Sequence, residues 1–180
     1  FCAGGDVRKL REAIVAHPKG SPTPFAADYF AEEYRLDYRI HTYDKPILLW
    51  GSGIVMGGGL GLMAGASHRI VTETSRIAMP EITIGLYPDV GGSWFLPRMP
   101  GRVGLFLALT GAPLNAHDAR VVNLADWFVK SDDKLAIFAG LVTVPWAENP
   151  ADNHGKLAKL LRGFAAQAES HLPASMVRAH

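Results

Sequence analysis

IVMGGGLGL, residues 54–62, runs from three apolar residues into three consecutive glycines and on into an apolar, helix-compatible run. A strand that ends in glycines and opens a helix leaves backbone N–H groups without intrahelical partners, at the positive end of the helix dipole. Residues 1–6, FCAGGD, repeat the order ahead of the charged run VRKLREAI. Two strand–glycine–helix units in one chain predict a stack of ββα turns. Brought together, their free N–H groups would hold an oxyanion, and glycines let the backbone approach a ligand closely.

Outward from these turns, strands and helices alternate. Asp6 is placed to cap a helix with Val7, Leu10 and Ile14 at helical spacing. HPKGSPTP, residues 17–24, is a breaker-rich loop, and residues 25–43 read as a second helix carrying Tyr29, Phe30, Glu33, Tyr34 and Tyr38. KPILLW is a short buried strand, and HRIVTE and SRIAMPE are two more. Short helices then lead to a last strand at Trp127 to Val129, and Ser131 or Asp132 is expected to cap the helix that follows, up to Leu141. PWAENPADNHG reads as a linker-like break before a final helix with Leu157, Leu160, Leu161 and Phe164 on one face. The expected division is a core over 1–130 and a helical region over 131–180. Because FCAGGD would need neighbouring strands on either side, the opening reads as the middle of something.

Composition narrows the function classes. The 180 residues are 48% hydrophobic, with 18 basic against 17 acidic residues and a formal net charge of +1, which argues against a nucleic-acid surface. The single cysteine, Cys2, allows no intrachain disulfide and fits a reducing compartment. No apolar stretch approaches the roughly 20 residues of a membrane span, so a soluble protein is expected. No Gly-Lys-Ser/Thr follows the triple glycine, as a phosphate loop requires, and the dinucleotide-binding spacing fails too. The seven histidines fall into no metal-ligand spacing, and neither a G-x-S-x-G elbow nor a base for Cys2 supports a Ser or Cys nucleophile.

Carboxylates are the chemistry left. In MPEITIGLYPDVGG, residues 79–92, Glu81 and Asp89 each follow a proline, so both approaches are stiffened. Read by spacing alone, Glu81 is as readily a surface acid, and Asp89 as readily the cap of the helix at GGSWFLP.

These segments, with KPILLWGSGIVMGGGLGL and LALTGAPLNAHDA in the same order, resemble the crotonase superfamily, most closely its 3-hydroxyisobutyryl-CoA hydrolase branch, over roughly residues 1–130. The resemblance implies an α/β fold: a ββα spiral with flanking helices, truncated here at both ends, since members of the superfamily carry strands before this opening and helices after this end. It implies coenzyme A threaded past Cys2, Ala3, Gly5 and Asp6, and a thioester carbonyl held by the N–H groups of Ala3 and Gly58. Glu81 and Asp89 would then be the catalytic acids, with Glu33, on the preceding helix, also lining the substrate pocket.

Hydratases of this superfamily typically use two glutamates. One maps to Gly61, which has no side chain to activate water; the other maps to Glu81, and those enzymes commonly carry glycine where Asp89 stands here. The pattern therefore resembles the thioester hydrolases, with an enoyl-CoA hydratase or isomerase and a catalytically silent CoA-binding module as alternatives. It further implies no metal and no cofactor beyond the CoA of the substrate, no nucleic-acid or membrane partner, assembly as a homotrimer or hexamer, and a cytoplasmic site in a bacterium or the mitochondrial matrix in a eukaryote.

Overall fold

In a computed structural model that describes residues 1–21 and 23–177, the chain steps between two small parallel sheets. The first has the order β1 (Leu48–Gly51), β3 (His68–Val71), β5 (Trp127–Phe128). The second pairs β2 (Ile54–Met56) with β4 (Arg76–Ala78). Cys2 adds to the second as a parallel bridge to Val55, its N–H donating to Ile54 and its carbonyl accepting from Met56. The turns β1–β2 and β3–β4 thus each lay one strand in each sheet and lie side by side, as the stack of ββα turns requires. The change of sheet happens at Gly51-Ser52-Gly53, where Gly53 has φ +63°.

Helices fill the intervals. Asp6 caps α1 (Val7–Ala16) by accepting from Lys9 N–H, as expected. α2 (Pro24–His41) starts on a proline, which suits a first turn whose N–H groups have no partners. α3 (Gly58–Gly65) opens directly from the triple glycine. Short helices α4 (Gly92–Phe95), α5 (Val103–Thr110) and α6 (Ala116–Val121) lead to β5. Between the sheets and helices lies a core that includes Val55, Leu60, Met63, Ile77 and Phe128, each at most 1% exposed.

The last two helices, α7 (Lys134–Thr143) and α8 (Pro150–Ala168), bring Ile137, Leu157 and Leu161 against Ile70 and Val129. Two local expectations are corrected here. Neither Ser131 nor Asp132 caps α7; a 3₁₀ turn over Ser131–Asp133 comes first, and Ser131 N–H and hydroxyl both donate to Glu73. The linker-like PWAENPADNHG already contains the first turns of α8, because Pro150 sits at the first helical position and Asn149 caps it by accepting from Ala151 N–H. No helix among the described residues is long and apolar enough to cross a membrane.

Candidate active site

The two glycine turns meet. Gly4, at φ +87°, lies so close to α3 that a Cβ there would stand 3.0 Å from Gly58 N. Gly57, at φ +55°, turns the chain into α3 and leaves room for Glu81, whose Oε1 would be 2.9 Å from a Cβ at that position. At Gly58 an added Cβ would run into Glu33 Oε1, and at Gly59 into the Cys2 carbonyl. Close approach to backbone thus requires glycine at Gly59, and the positive φ favours it at Gly57, whereas at Gly58 the obstacle is the movable end of a side chain.

A cavity of about 470 Å³ opens over this junction. Ala3, Gly4, Gly57 and Gly58 form its backbone wall, and Glu33, Glu81 and Asp89 all line it. Apolar side chains of α1, among them Leu10 and Ile14, line it as well. Gly5 belongs to the same wall; Cys2 lines a neighbouring cavity together with Gly5 and Gly58. Asp6 stands outside the wall, its carboxylate engaged with α1.

Glu81 begins a 3₁₀ turn, Glu81–Ile84, that Gly85 ends in the left-handed conformation. Its residue is 6% exposed, and Oε2 is buried with no hydrogen-bond partner among the described residues. Burial pushes its carboxyl above the usual glutamate value; its own N–H opposes this, while Asp89 and Glu33 add repulsion. An unpartnered buried carboxylate is costly in a structural role, and clefts with such groups are where chemistry is found.

Asp89 does not cap α4. Gly91, left-handed at φ +84°, stands at the cap position with no side-chain bond. Asp89 Oδ2 instead accepts a 2.6 Å hydrogen bond from the Tyr34 hydroxyl on α2. Glu33 accepts at 3.3 Å from Tyr29, one turn earlier, and burial together with Asp89 raises its carboxyl. The Tyr29 phenol is itself pushed up to about 12, first by burial and then by Glu33.

The sequence reading missed Asp37. It lies one turn beyond Glu33 on α2 and lines a second cavity of about 490 Å³ on the other side of Asp89, bounded also by Gly61, Val90 and Trp94. Both its carboxylate oxygens are buried without partners among the described residues. Burial, then Glu33 and Asp89, push its carboxyl up to about 6. The i, i+4 series Tyr29, Glu33, Asp37 on one helix was the available signal. Among the described residues no group of three or more His, Cys, Asp or Glu side chains is arranged to hold a metal ion.

With this geometry in place, comparison with known proteins is decisive on one point: the family model described as Enoyl-CoA hydratase/isomerase matches residues 1–180. The chain belongs to the enoyl-CoA hydratase/isomerase family. Among curated members, it is 45% identical over 154 residues to the 3-hydroxyisobutyryl-CoA hydrolase, mitochondrial, of Xenopus tropicalis, covering 84% of this chain and 39% of that protein. It is also 44% identical over 137 residues to the small ribosomal subunit protein mS47 of Neurospora crassa, covering 76% of this chain and 27% of that one. Among solved structures, an enoyl-CoA hydratase from Rhodobacter sphaeroides superposes with a TM-score of 0.73 at 41% identity, over 92% of this chain and 49% of that chain. The chain thus spans less than half the length of each of these relatives. The crotonase-type fold that the resemblance implied is the fold of this structural neighbour.

Proposed function

We propose that the protein containing this chain hydrolyses an acyl-CoA thioester, with 3-hydroxyisobutyryl-CoA giving 3-hydroxyisobutyrate and CoA as its reaction. The observation that carries this reading is the convergence of Glu81 and Asp89 on the backbone wall formed by Ala3 and Gly58. As the thioester carbonyl is attacked, negative charge builds on its oxygen, and N–H donors fixed in a dry site stabilise it by a few kcal/mol. Ala3 and Gly58 supply those donors, one from each glycine turn. Glu81, ionised, either attacks the carbonyl carbon, expelling CoA thiolate and leaving a mixed anhydride that water then hydrolyses, or takes a proton from a water that attacks the carbonyl as the C–S bond breaks. Asp89, held by Tyr34, orients the substrate hydroxyl or the water. Glu33 lines the acyl end, and the wall from Ala3 to Gly5 carries the CoA. The chemistry rests on carboxylates and backbone donors, with CoA entering as part of the substrate.

The hydratase reading is weaker on this geometry. Hydration by the two-glutamate route needs a second acid at position 61, and Gly61 is not merely bare: a Cβ there would lie 2.5 Å from Val90 Cβ. The experiment is to supply 3-hydroxyisobutyryl-CoA and crotonyl-CoA to the full-length protein and follow free thiol and hydrated product separately. Thiol release from the first, with little hydration of the second, supports the proposal; comparable rates of both contradict the branch. A role without turnover is the second reading, supported by the likeness to mS47. Binding of the CoA ester with no product of either kind would favour it.

For the place of action, the mitochondrial name of the Xenopus relative supports the matrix where the source is eukaryotic.

A further inference from the structure

Asp89-Val90-Gly91-Gly92 forms a tight turn. Gly92 N–H donates to the Asp89 carbonyl at 2.6 Å, and both central residues are left-handed, Val90 at φ +41° and Gly91 at φ +84°. Two left-handed central residues make a type I′ turn, whose first central position ordinarily goes to Asn, Asp or Gly. A β-branched residue there is an outlier. Such a conformation persists only where its surroundings over-determine it, and these outliers gather at functional sites.

The surroundings here are α3. Val90 is 4% exposed and belongs to the main core. Its side chain occupies the space over Gly61: a Cβ on Gly61 would lie 2.5 Å from Val90 Cβ, 2.8 Å from Cγ2 and 2.9 Å from the carbonyl oxygen. Gly61 in turn lies one helical turn from Gly57 and donates its N–H to the Gly57 carbonyl. The helix whose first residue faces the candidate site at Gly58 is thus the surface on which Val90 rests, immediately beside Asp89.

We infer that Val90 is a positioning residue: wedged over Gly61, it is held in the left-handed conformation that aims the Asp89 carboxylate at Tyr34 and into the site. Asp89 is thereby placed relative to α3, and so relative to Gly58, by the fit of one side chain onto one glycine. The catalytic consequence of this wedge rests on the thioesterase reading above; the wedge itself does not.

The test uses the full-length protein with 3-fluorotyrosine at position 34, whose ¹⁹F resonance reports the contact with Asp89, and Asp89→Asn to define the altered contact. Glycine is at home in a left-handed turn, so Val90→Gly is expected to stay folded while its ¹⁹F resonance moves toward that of Asp89→Asn. Its kcat should fall about tenfold with KM near wild type, as for a displacement of catalytic groups without lost binding. Gly61→Ala, which drives a methyl into Val90, should cost about a hundredfold in kcat. Adding Val90→Gly to it removes the 2.5 and 2.8 Å contacts with the side chain and leaves only the 2.9 Å approach to the carbonyl oxygen, so turnover should recover to within a few-fold of Val90→Gly alone. A resonance unmoved in Val90→Gly, or a double variant as slow as Gly61→Ala, overturns the inference. If the wild type releases no thiol, the thioesterase reading fails, and the ¹⁹F resonances still decide the wedge.

Discussion

The Tyr34 hydroxyl donates a 2.6 Å hydrogen bond to Asp89 Oδ2, across 55 residues of sequence. It joins the middle of α2 to the turn after Pro88 and holds one wall of the site to the other. A hydrogen bond to a carboxylate is worth more than one between neutral groups, about 1.5–3 kcal/mol where it is shielded from water. Tyr34 is 40% exposed, so this bond contributes less, about 0.5–1.5 kcal/mol.

Tyr34→Phe should therefore leave the fold in place and loosen Asp89. The expected outcome is a kcat reduced about tenfold with KM for the CoA ester within about twofold. Steady-state kinetics with full-length protein decide it, and an unchanged kcat would remove Tyr34 from the site.

Asp37 gives a pH-dependent effect on stability. Its folded value is raised from 3.8 to about 6, so its stabilising contribution is complete below the unfolded value and is lost as pH rises through about 6. Above that, the charged carboxylate sits in a half-buried site at a cost of about 1 kcal/mol once solvent screening is discounted. Asp37→Asn removes the charge. Melting temperatures should show the variant more stable than wild type at pH 7.5 and equal to it near pH 4; a gap independent of pH would contradict this.

Gly58 offers a clean deletion of a donor. It is the first residue of α3, where proline is tolerated because that N–H makes no helical bond. Gly58→Pro should lower kcat by about 10²–10³, with circular dichroism unchanged; its Cβ also meets the end of the Glu33 side chain, and Gly58→Ala, which keeps the N–H, controls for that contact. Unchanged kcat in the folded variant would move the oxyanion site elsewhere.

Much of this arrangement was legible along the chain, for a local reason. Strand, glycine turn and helix follow one another within a few residues at Cys2 to Val7 and again at Ile54 to Leu60, so periodicity and glycine runs expose them. Glu81 and Asp89 stood out because each follows a proline. What stayed hidden depends on partners distant in sequence. Ser131 looked like a cap, but Glu73, 58 residues earlier, takes its N–H and hydroxyl. Asp89 looked like a cap until Tyr34 supplied its hydrogen bond. Val90 carries no turn signal at all, since its left-handed backbone comes from packing on Gly61 and runs against its own preference. At Asn149-Pro150 the reverse holds: the cap and the first-turn proline are local signals, but the same residue types also make a break.

The acid side of the pH profile tests the state of Glu81. It must be ionised to attack or to take a proton, and burial raises its carboxyl above 4.5. The acid limb of kcat/KM should therefore lie above that value, with activity rising as pH increases through it. A limb at or below 4.5 would separate activity from Glu81.

Glu81→Gln bears most directly on the proposed chemistry, because it keeps the size of the side chain and removes its negative charge. The measurement pairs kcat for thiol release from 3-hydroxyisobutyryl-CoA with the Kd of a non-hydrolysable CoA ester, in the full-length wild type and variant. If Glu81 is the nucleophile or base, kcat falls by about 10³ or more while Kd stays within about threefold. Turnover near wild type in a folded Glu81→Gln protein would contradict the mechanism.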